Sequence, residues 1–306
     1  MCNLEFQIHL ITHLESLLGQ SIVDSSTPPQ GMGSHVFFVK TETGKEYAVK
    51  YGVDAGKDVP ALKLIKDKDL KIPVPNLIAY FEFDSVPVVI LEKIDFPLLE
   101  KVPVERLSEY IPSMVNCLRS LHELKSPKPG RVAEQNFSIS WKSMIKSIFD
   151  GSQFDWKEVS ERSGVDGILI LKSVENILAK IESINLPDNN FSLLHTDFNQ
   201  RNLFVDLSSN KITGVIDWED AMYGDPIFDF ARVRMFIWHF GLSENVVKDY
   251  YDLMDYTSDE RAREDFYWLV RVIQYLAWYS EDLNEFSISR IKLHQEFLRD
   301  YNWDNF

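Results

Sequence analysis

Apolar and polar positions change their period along this chain. In the first third, short apolar runs are separated by polar or glycine-containing turns, as at 35–39, 46–51 and 86–94, and this pattern predicts β-strands. Beyond residue 94, apolar residues recur every three or four positions, which predicts amphipathic helices. The chain is therefore expected to combine a small β-rich region with a larger, mainly helical one.

The helical stripes are regular enough to predict which residues form the core. One stripe consists of Leu107, Ile111, Val115, Leu118 and Leu121, and a second of Ile168, Leu171, Val174, Leu178 and Ile181. Further helical patterns run through 231–240, 244–256, 261–281 and 288–301. We interpret these stripes as faces packed on a core, because apolar residues at helical spacing point to one side of the helix.

The segment 202–217 interrupts the helical pattern with two apolar strands around a Ser-Ser-Asn turn, which predicts a β-hairpin. It follows the motif His-x-Asp-x-x-x-x-Asn at His195, Asp197 and Asn202, and it ends at Asp217. A carboxylate at Asp197 can orient a hydroxyl group and accept its proton, and the oxygens of Asn202 and Asp217 suit Mg²⁺ on nucleotide phosphates. The motif alone can arise by chance, but the hairpin and the second aspartate favour a kinase.

With these residues, in the runs 194–202 and 214–225, the chain resembles the aminoglycoside phosphotransferases, which are small-molecule kinases with a protein-kinase-like fold. The resemblance is strong over about 193–238 and looser elsewhere. It implies an α+β bilobal fold, with a small antiparallel-sheet lobe and hinge over 1–94 that binds nucleotide. The helical lobe over 95–306 would carry the catalytic loop and the substrate site.

The resemblance also assigns roles to residues of the motif. It implies that Asp197 is the catalytic base, that Asn202 and Asp217 bind magnesium, and that His195 and Asp229 support the catalytic loop. We further expect Arg201 to neutralise charge on the transferred γ-phosphoryl group, because a fixed guanidinium suits that task.

The N-terminal third should hold the nucleotide. Gly31, Gly33 and Ser34 precede a strand and form a candidate phosphate loop, although an ordinary hairpin turn is the alternative. Lys50 ends the strand pattern Tyr-Ala-Val-Lys and is the candidate partner of the α- and β-phosphates. The backbone at Glu92 and Ile94 would contact the purine by the same resemblance, and ATP and GTP are not separated.

The sequence departs from the kinase pattern in one respect. Kinase-like proteins pair this lysine with a glutamate on the following helix, but no Glu occurs between Tyr51 and Phe81. Asp58 lies nearest to the expected register. Lys50 is therefore expected to have an unusual partner, or to pair only when nucleotide is bound.

Composition narrows the choice of substrate. A net charge of −15 over 306 residues argues against nucleic-acid binding, which needs clustered Lys and Arg, and is compatible with a cationic substrate. Candidate acidic contacts are Glu219 and Asp220 beside the metal site, and Glu281 and Asp282 near the C-terminus. The alternative is that these carboxylates are solvated or structural.

The remaining features concern the setting of the protein. No stretch of about 20 apolar residues is present, so no membrane segment is predicted and a cytoplasmic monomer is expected. Cys2 and Cys117 are too few for a disulfide framework. No activation-loop pattern follows Asp217, which favours a small-molecule acceptor over a protein.

Together the patterns predict a Mg²⁺-dependent transfer of the γ-phosphoryl group of ATP or GTP to a hydroxyl of an aminoglycoside or aminocyclitol antibiotic. A kinase of another small molecule, such as choline, homoserine, a fructosamine or a macrolide, is the alternative within the same chemistry. A nucleotide-binding pseudokinase is the alternative from another class, since the glutamate partner of Lys50 is missing.

Overall fold

The computed structural model describes residues 4–28, 34–134 and 140–303. The helices are α1 Leu4–Leu18, α2 Asp58–Asp67, α3 Ile111–Leu121, α4 Trp141–Ser147, α5 Trp156–Glu161, α6 Gly167–Ser183, α7 Ile227–His239, α8 Glu244–Met254, α9 Ser258–Tyr279 and α10 Glu285–Asp300. The strands are β1 Ile22–Ser26, β2 His35–Thr41, β3 Glu46–Tyr51, β4 Leu77–Phe83, β5 Val86–Glu92, β6 Lys125–Ser126, β7 Gly130–Arg131, β8 Phe191–Leu194, β9 Leu203–Asp206, β10 Lys211–Val215 and β11 Met222–Gly224.

The chain forms two compact units that do not follow a single cut in the sequence. The first contains residues up to 113 together with 132–134 and 200–221, and the second contains 114–131, 135–199 and the chain from 222 onward. The hairpin that carries Asn202 and Asp217 thus belongs to the unit of the N-terminal sheet, whereas Asp197 belongs to the helical unit. The two-lobe boundary at residue 94 stays a prediction.

The first unit is built on an antiparallel sheet in the order β1-β2-β3-β5-β4. Val88, Val89 and Ile90 of β5 are fully buried, as expected for the apolar run of a central strand. Leu10 and Leu14 of α1 belong to the same core cluster. This core holds β3 and its lysine in a fixed position.

The predicted hairpin is confirmed. Strands β9 and β10 pair antiparallel, with Lys211 opposite Asp206 and Val215 opposite Leu203. Gly214 allows close packing there, because a Cβ at this position would lie 2.5 Å from Ile94 Cδ1 and 3.2 Å from Phe204 Cβ. The hairpin brings both of its ends, and hence Asn202 and Asp217, to the same side.

The second unit contains most of the helices and a small sheet in the order β6-β8-β11-β7. Every residue of β8 is buried, and the chain leaves this strand directly into His195. Helices α7 and α9 pack against each other and supply many of the buried side chains of this unit. A buried strand and two long helices therefore position the loop that begins at His195.

The α+β prediction is confirmed, with an antiparallel sheet first and a mainly helical remainder. The first apolar stripe, which begins at Leu107, is buried throughout. The prediction that the second stripe is buried is wrong at its start, because Ile168 is 84% and Leu171 is 38% exposed. The buried face of α6 is instead Ile170, Ser173, Val174, Ile177 and Ile181, which includes a serine that the apolar pattern passes over.

Within the described ranges, no helix combines the length and the apolar character needed to cross a membrane.

Candidate active site

Lys50 is the centre of an ion-pair cluster in the first unit. Its Nζ lies 2.7 Å from Asp58 Oδ2, 3.5 Å from Asp217 Oδ1 and 3.9 Å from Glu219 Oε2. Burial lowers the pKa of Lys50, but the neighbouring carboxylates, Asp58 first, outweigh this effect and hold the pKa above its usual value. The side chain is therefore a fixed cation beside the predicted metal ligand.

Asp58 is the partner of Lys50 in place of the missing glutamate. It is the first residue of α2 and is only 3% exposed. Its Oδ2 accepts from Lys50, while its Oδ1 accepts from the backbone N–H of Trp218 at 2.7 Å. One short carboxylate thus ties the lysine to the backbone directly after Asp217, and the sequence had indicated this residue only by its register.

Asn202 and Asp217 lie at the two ends of the hairpin. The N–H of Ile216 donates to the Asn202 carbonyl at 3.0 Å, which keeps the ends together. Asn202 is buried, whereas the Asp217 side chain is 40% exposed at a backbone φ of +69°. Two oxygen ligands suit a Mg²⁺ ion that also binds phosphates and water, so this donor set fits the predicted metal.

Glu219 lies beside Lys50. Burial and the charge of Asp217 raise the pKa of Glu219 to about 7, against the lowering effect of Lys50. Asp220 acts electrostatically on Lys57, which is paired with Asp54 at 2.7 Å. Both predicted substrate carboxylates thus belong to the unit that carries Lys50.

The other residues predicted to contact the nucleotide are Gly31, Gly33, Ser34, Glu92 and Ile94. Gly31 and Gly33 lie outside the described residues, but Ser34 is described, and its Oγ is buried with no hydrogen-bond partner among the described residues. An unpaired buried hydroxyl is costly, so it fits a place where a ligand supplies the partner. At the end of β5, the Glu92 N–H donates to the Asn76 carbonyl at 2.9 Å.

Arg201 was expected to act on the transferred phosphoryl group. The structure places its Nε 3.8 Å from Glu100 Oε2, and 58% of the side chain is exposed. Such an exposed ion pair contributes little to stability. The predicted role of Arg201 stays a prediction.

Asp197 lies in the loop after β8, in the second unit. Its Oδ1 accepts from Tyr275 Oη at 2.8 Å and from Arg232 Nη2 at 3.2 Å. Burial would raise the pKa of Asp197, but the Arg232 cation and hydrogen bonds from Asn199 and Tyr275 outweigh it and hold the pKa below its usual value. With 37% of the side chain exposed, this is an ionised and accessible carboxylate.

Asp229, on α7, is the residue that the resemblance predicts to support the loop, and it contacts the backbone of that loop. It is fully buried and accepts from the N–H groups of His195 at 2.9 Å and Thr196 at 2.8 Å, and from His122 Nε2 at 3.1 Å. Thr196 has φ +69°, a strained value for a β-branched residue. Arg271 donates to the Thr196 carbonyl at 2.7 Å, so both sides of this strained peptide are held.

The C-terminal acidic residues have partners of their own. Glu281 Oε1 lies 3.8 Å from Arg162 Nη1, and Asp282 Oδ2 accepts from Asn284 Nδ2 at 3.3 Å. Both lie in the turn between α9 and α10. The structure therefore places them in the second unit, with Asp197, while Glu219 and Asp220 lie in the first.

Sequence reasoning missed the residues that surround Asp197. Arg232 and Tyr275 contact Asp197, and Arg271 contacts its loop, but none of them belongs to a recognised motif. The sequence signal that could have pointed to Arg232 is its position three residues, about one helical turn, after Asp229 on α7. Tyr275 and Arg271 are brought in from α9 by tertiary packing alone.

Comparison with known proteins places this geometry in a family. The family model described as "Phosphotransferase enzyme family" matches residues 26–267. Hygromycin-B 4-O-kinase of Escherichia coli is 22% identical over 173 residues, which cover 55% of this chain. That alignment spans about half the length of the relative, 48%.

Solved structures agree in fold. A thermostable mutant of aminoglycoside phosphotransferase APH(4)-Ia, in a ternary complex with AMP-PNP and hygromycin B, matches with a TM-score of 0.76 at 18% identity, covering 95% of this chain and 98% of that one. Macrolide 2'-phosphotransferase type I matches with a TM-score of 0.64 at 14% identity, covering 97% of both chains. The family match extends over most of the sequence, from the sheet to α9. This chain belongs to the phosphotransferase enzyme family.

Proposed function

We propose that this protein transfers the γ-phosphoryl group of ATP or GTP to a hydroxyl of an aminoglycoside or aminocyclitol antibiotic, as a monomer in the cytoplasm. The family match supports phosphoryl transfer, and the hygromycin-B 4-O-kinase relative supports this class of acceptor. The observation that carries the proposal is the Asp197 carboxylate, which is held ionised by Arg232 and Tyr275 and is still 37% exposed.

Asp197 is the base of the proposed reaction. The acceptor hydroxyl donates its hydrogen bond to this carboxylate, which orients the oxygen towards the γ-phosphorus. As the new O–P bond forms and the bond to the β-phosphate oxygen breaks, the hydroxyl proton passes to Asp197. The electron pair of the broken bond stays on the β-phosphate oxygen of the departing nucleoside diphosphate. The transfer is direct, and no covalent phosphoenzyme is needed.

The nucleotide is held by the first unit. Lys50 pairs the α- and β-phosphates, Ser34 contacts them together with Gly31 and Gly33, which lie outside the described residues, and the backbone at Glu92 and Ile94 contacts the purine. Asn202 and Asp217 would hold Mg²⁺, which would neutralise phosphate charge. The Asp58–Lys50 pair supports this role against the pseudokinase alternative, because the missing glutamate has a substitute.

Four carboxylates favour a cationic acceptor, because negative charge attracts ammonium groups. Glu219 and Asp220 in one unit, and Glu281 and Asp282 in the other, are the proposed contacts for ammonium groups. Glu281 has Arg162 at 3.8 Å, which reduces its attraction for a cation. This contact is the observation that keeps a neutral or monocationic acceptor, such as a macrolide or a fructosamine, as the second candidate.

The test is an acceptor screen with purified protein, Mg²⁺ and either ATP or GTP, in which product mass is measured. The panel contains hygromycin B, kanamycin, gentamicin, streptomycin, a macrolide, a fructosamine, choline and homoserine. A product 80 Da heavier than an aminoglycoside, the mass of an added HPO₃ group, is expected. The same product from Asp197→Asn at the wild-type rate would refute the assigned base, and a product only from the other acceptors would refute the antibiotic class.

A further inference from the structure

Two donors converge on a single oxygen of Asp197, and one of them, Arg232, is buried. Tyr275 Oη donates to Oδ1 at 2.8 Å, and Arg232 Nη2 donates to the same atom at 3.2 Å. The donors come from different helices, Arg232 from α7 and Tyr275 from α9. The carboxylate is thus held against the core of the second unit and not only by its own loop.

The two donors also hold each other. The Arg232 guanidinium lies over the Tyr275 ring at 4.4 Å from its centroid, and its Nη1 lies 3.0 Å from Met235 Sδ. Arg232 is 5% exposed, and the Tyr275 ring packs edge-on against Trp278 at 4.8 Å. A stacked, buried guanidinium has little freedom, so its donor position is fixed before any ligand arrives.

We propose that Arg232 and Tyr275 are positioning residues for Asp197: through their hydrogen bonds to Oδ1 they fix the orientation of the carboxylate that accepts the substrate proton. This inference rests on the proposed function of Asp197 as the base. It adds two residues, 35 and 78 positions from Asp197 in sequence, to the machinery of the reaction.

Other polar groups around Asp197 also act on it. His195 and Asn199 in the same loop act on Asp197, and Arg271 from α9 lies near enough to interact electrostatically. Hydrogen bonds to the ionised form and a neighbouring cation both favour ionisation. Removing either donor must therefore raise the pKa of Asp197, and removing a donor elsewhere must not.

The test follows the titration of Asp197 directly, without an acceptor. Protein labelled with ¹³C at the aspartate carboxyl is titrated by NMR, and the Asp197 signal is identified by its loss in Asp197→Asn. Tyr275→Phe, which keeps the ring stacked on Arg232, is expected to raise the titration midpoint by about one pH unit, the effect of one hydrogen bond to a charged group. Arg232→Met should raise it at least as much, and Arg232→Lys less.

The matched control is Tyr251→Phe. This hydroxyl also donates to a buried carboxylate, Glu264 Oε2 at 2.8 Å, but not to the base. Its removal should leave the Asp197 midpoint unchanged. If Tyr275→Phe and the Arg232 variants titrate like the wild type, the positioning role is overturned; if Arg232→Met does not fold, Tyr275→Phe decides alone.

Kinetics then separate this inference from the proposed function. With an acceptor found in the screen, Tyr275→Phe should lower kcat about tenfold, leave both KM values within about twofold, and move the acid limb of the pH–kcat profile upward. An active Asp197→Asn variant would refute the base itself. An inactive Asp197→Asn with wild-type kinetics in Tyr275→Phe would refute only the positioning role.

Discussion

Replacement of Asp58 tests the ion pair that substitutes for the missing glutamate. The residue is 3% exposed and serves two groups at once, Lys50 through Oδ2 and the Trp218 N–H through Oδ1. Asp58→Ala removes both acceptors. Asp58→Asn retains a carbonyl oxygen for the Trp218 N–H and loses the charge opposite the lysine.

The expected loss follows from these contacts. Breaking a buried ion pair costs about 3–5 kcal/mol of unfolding free energy, because the remaining charge is left without its partner. Here Asp217 and Glu219 lie 3.5 and 3.9 Å from Lys50 and stay in place, so the lower end applies. We expect Asp58→Ala to cost about 3 kcal/mol, and Asp58→Asn about 1–2 kcal/mol because one hydrogen bond survives.

Urea unfolding followed by tryptophan fluorescence measures this loss, since Trp218 is buried beside the pair. The matched control is Asp69→Asn, which breaks the exposed pair with Lys71 at 2.7 Å. That change should cost less than about 1 kcal/mol. A KM for nucleotide raised in both Asp58 variants, but not in the control, is expected because Lys50 loses its orientation.

The reasoning fails if Asp58→Ala and Asp69→Asn unfold at the same urea concentration. It fails in part if both Asp58 variants are destabilised but bind nucleotide as the wild type does. In that case Asp58 stabilises the fold, and Asp217 or Glu219 orients Lys50.

Three further changes test other parts of the structure. Asp229→Asn should lower kcat and reduce the free energy of unfolding by about 3 kcal/mol, because an amide cannot accept from all three donors. Burial raises the pKa of Asp229, but His122 and backbone N–H groups outweigh this effect and hold the pKa below its usual value. The wild type should therefore lose more unfolding free energy than this variant as the pH falls. Gly224→Ala should cost about 1–3 kcal/mol in thermal unfolding, since its Cβ would lie 2.6 Å from Trp141 Cη2. Burial raises the pKa of Cys117 to about 12, so in Cys2→Ser protein no thiol should react with a disulfide reagent at pH 8 until urea unfolds the chain.

Local patterns allowed part of this structure to be predicted. The hairpin β9–β10 was predictable because its turn chemistry and both apolar strands lie within sixteen consecutive residues, 202–217. The strand that ends near Lys50 was predictable for the same reason. The buried face of α6 was misjudged at Ile168 and Leu171, because apolar residues at the first turns of a helix can extend beyond the core that the helix covers.

The environment of Asp197 could not be predicted from the sequence, for a physical reason. Local patterns report which residues share a face of one element, but Arg232 and Tyr275 meet Asp197 only because α7 and α9 pack together beneath the loop. Each is an ordinary member of an amphipathic helix when read alone. Burying the charge of Arg232 costs free energy unless a carboxylate accepts its hydrogen bond. The packing of these helices and the negative charge of Asp197 therefore depend on each other. The motif supplies the carboxylate, and two distant helices supply the donors that contact its Oδ1.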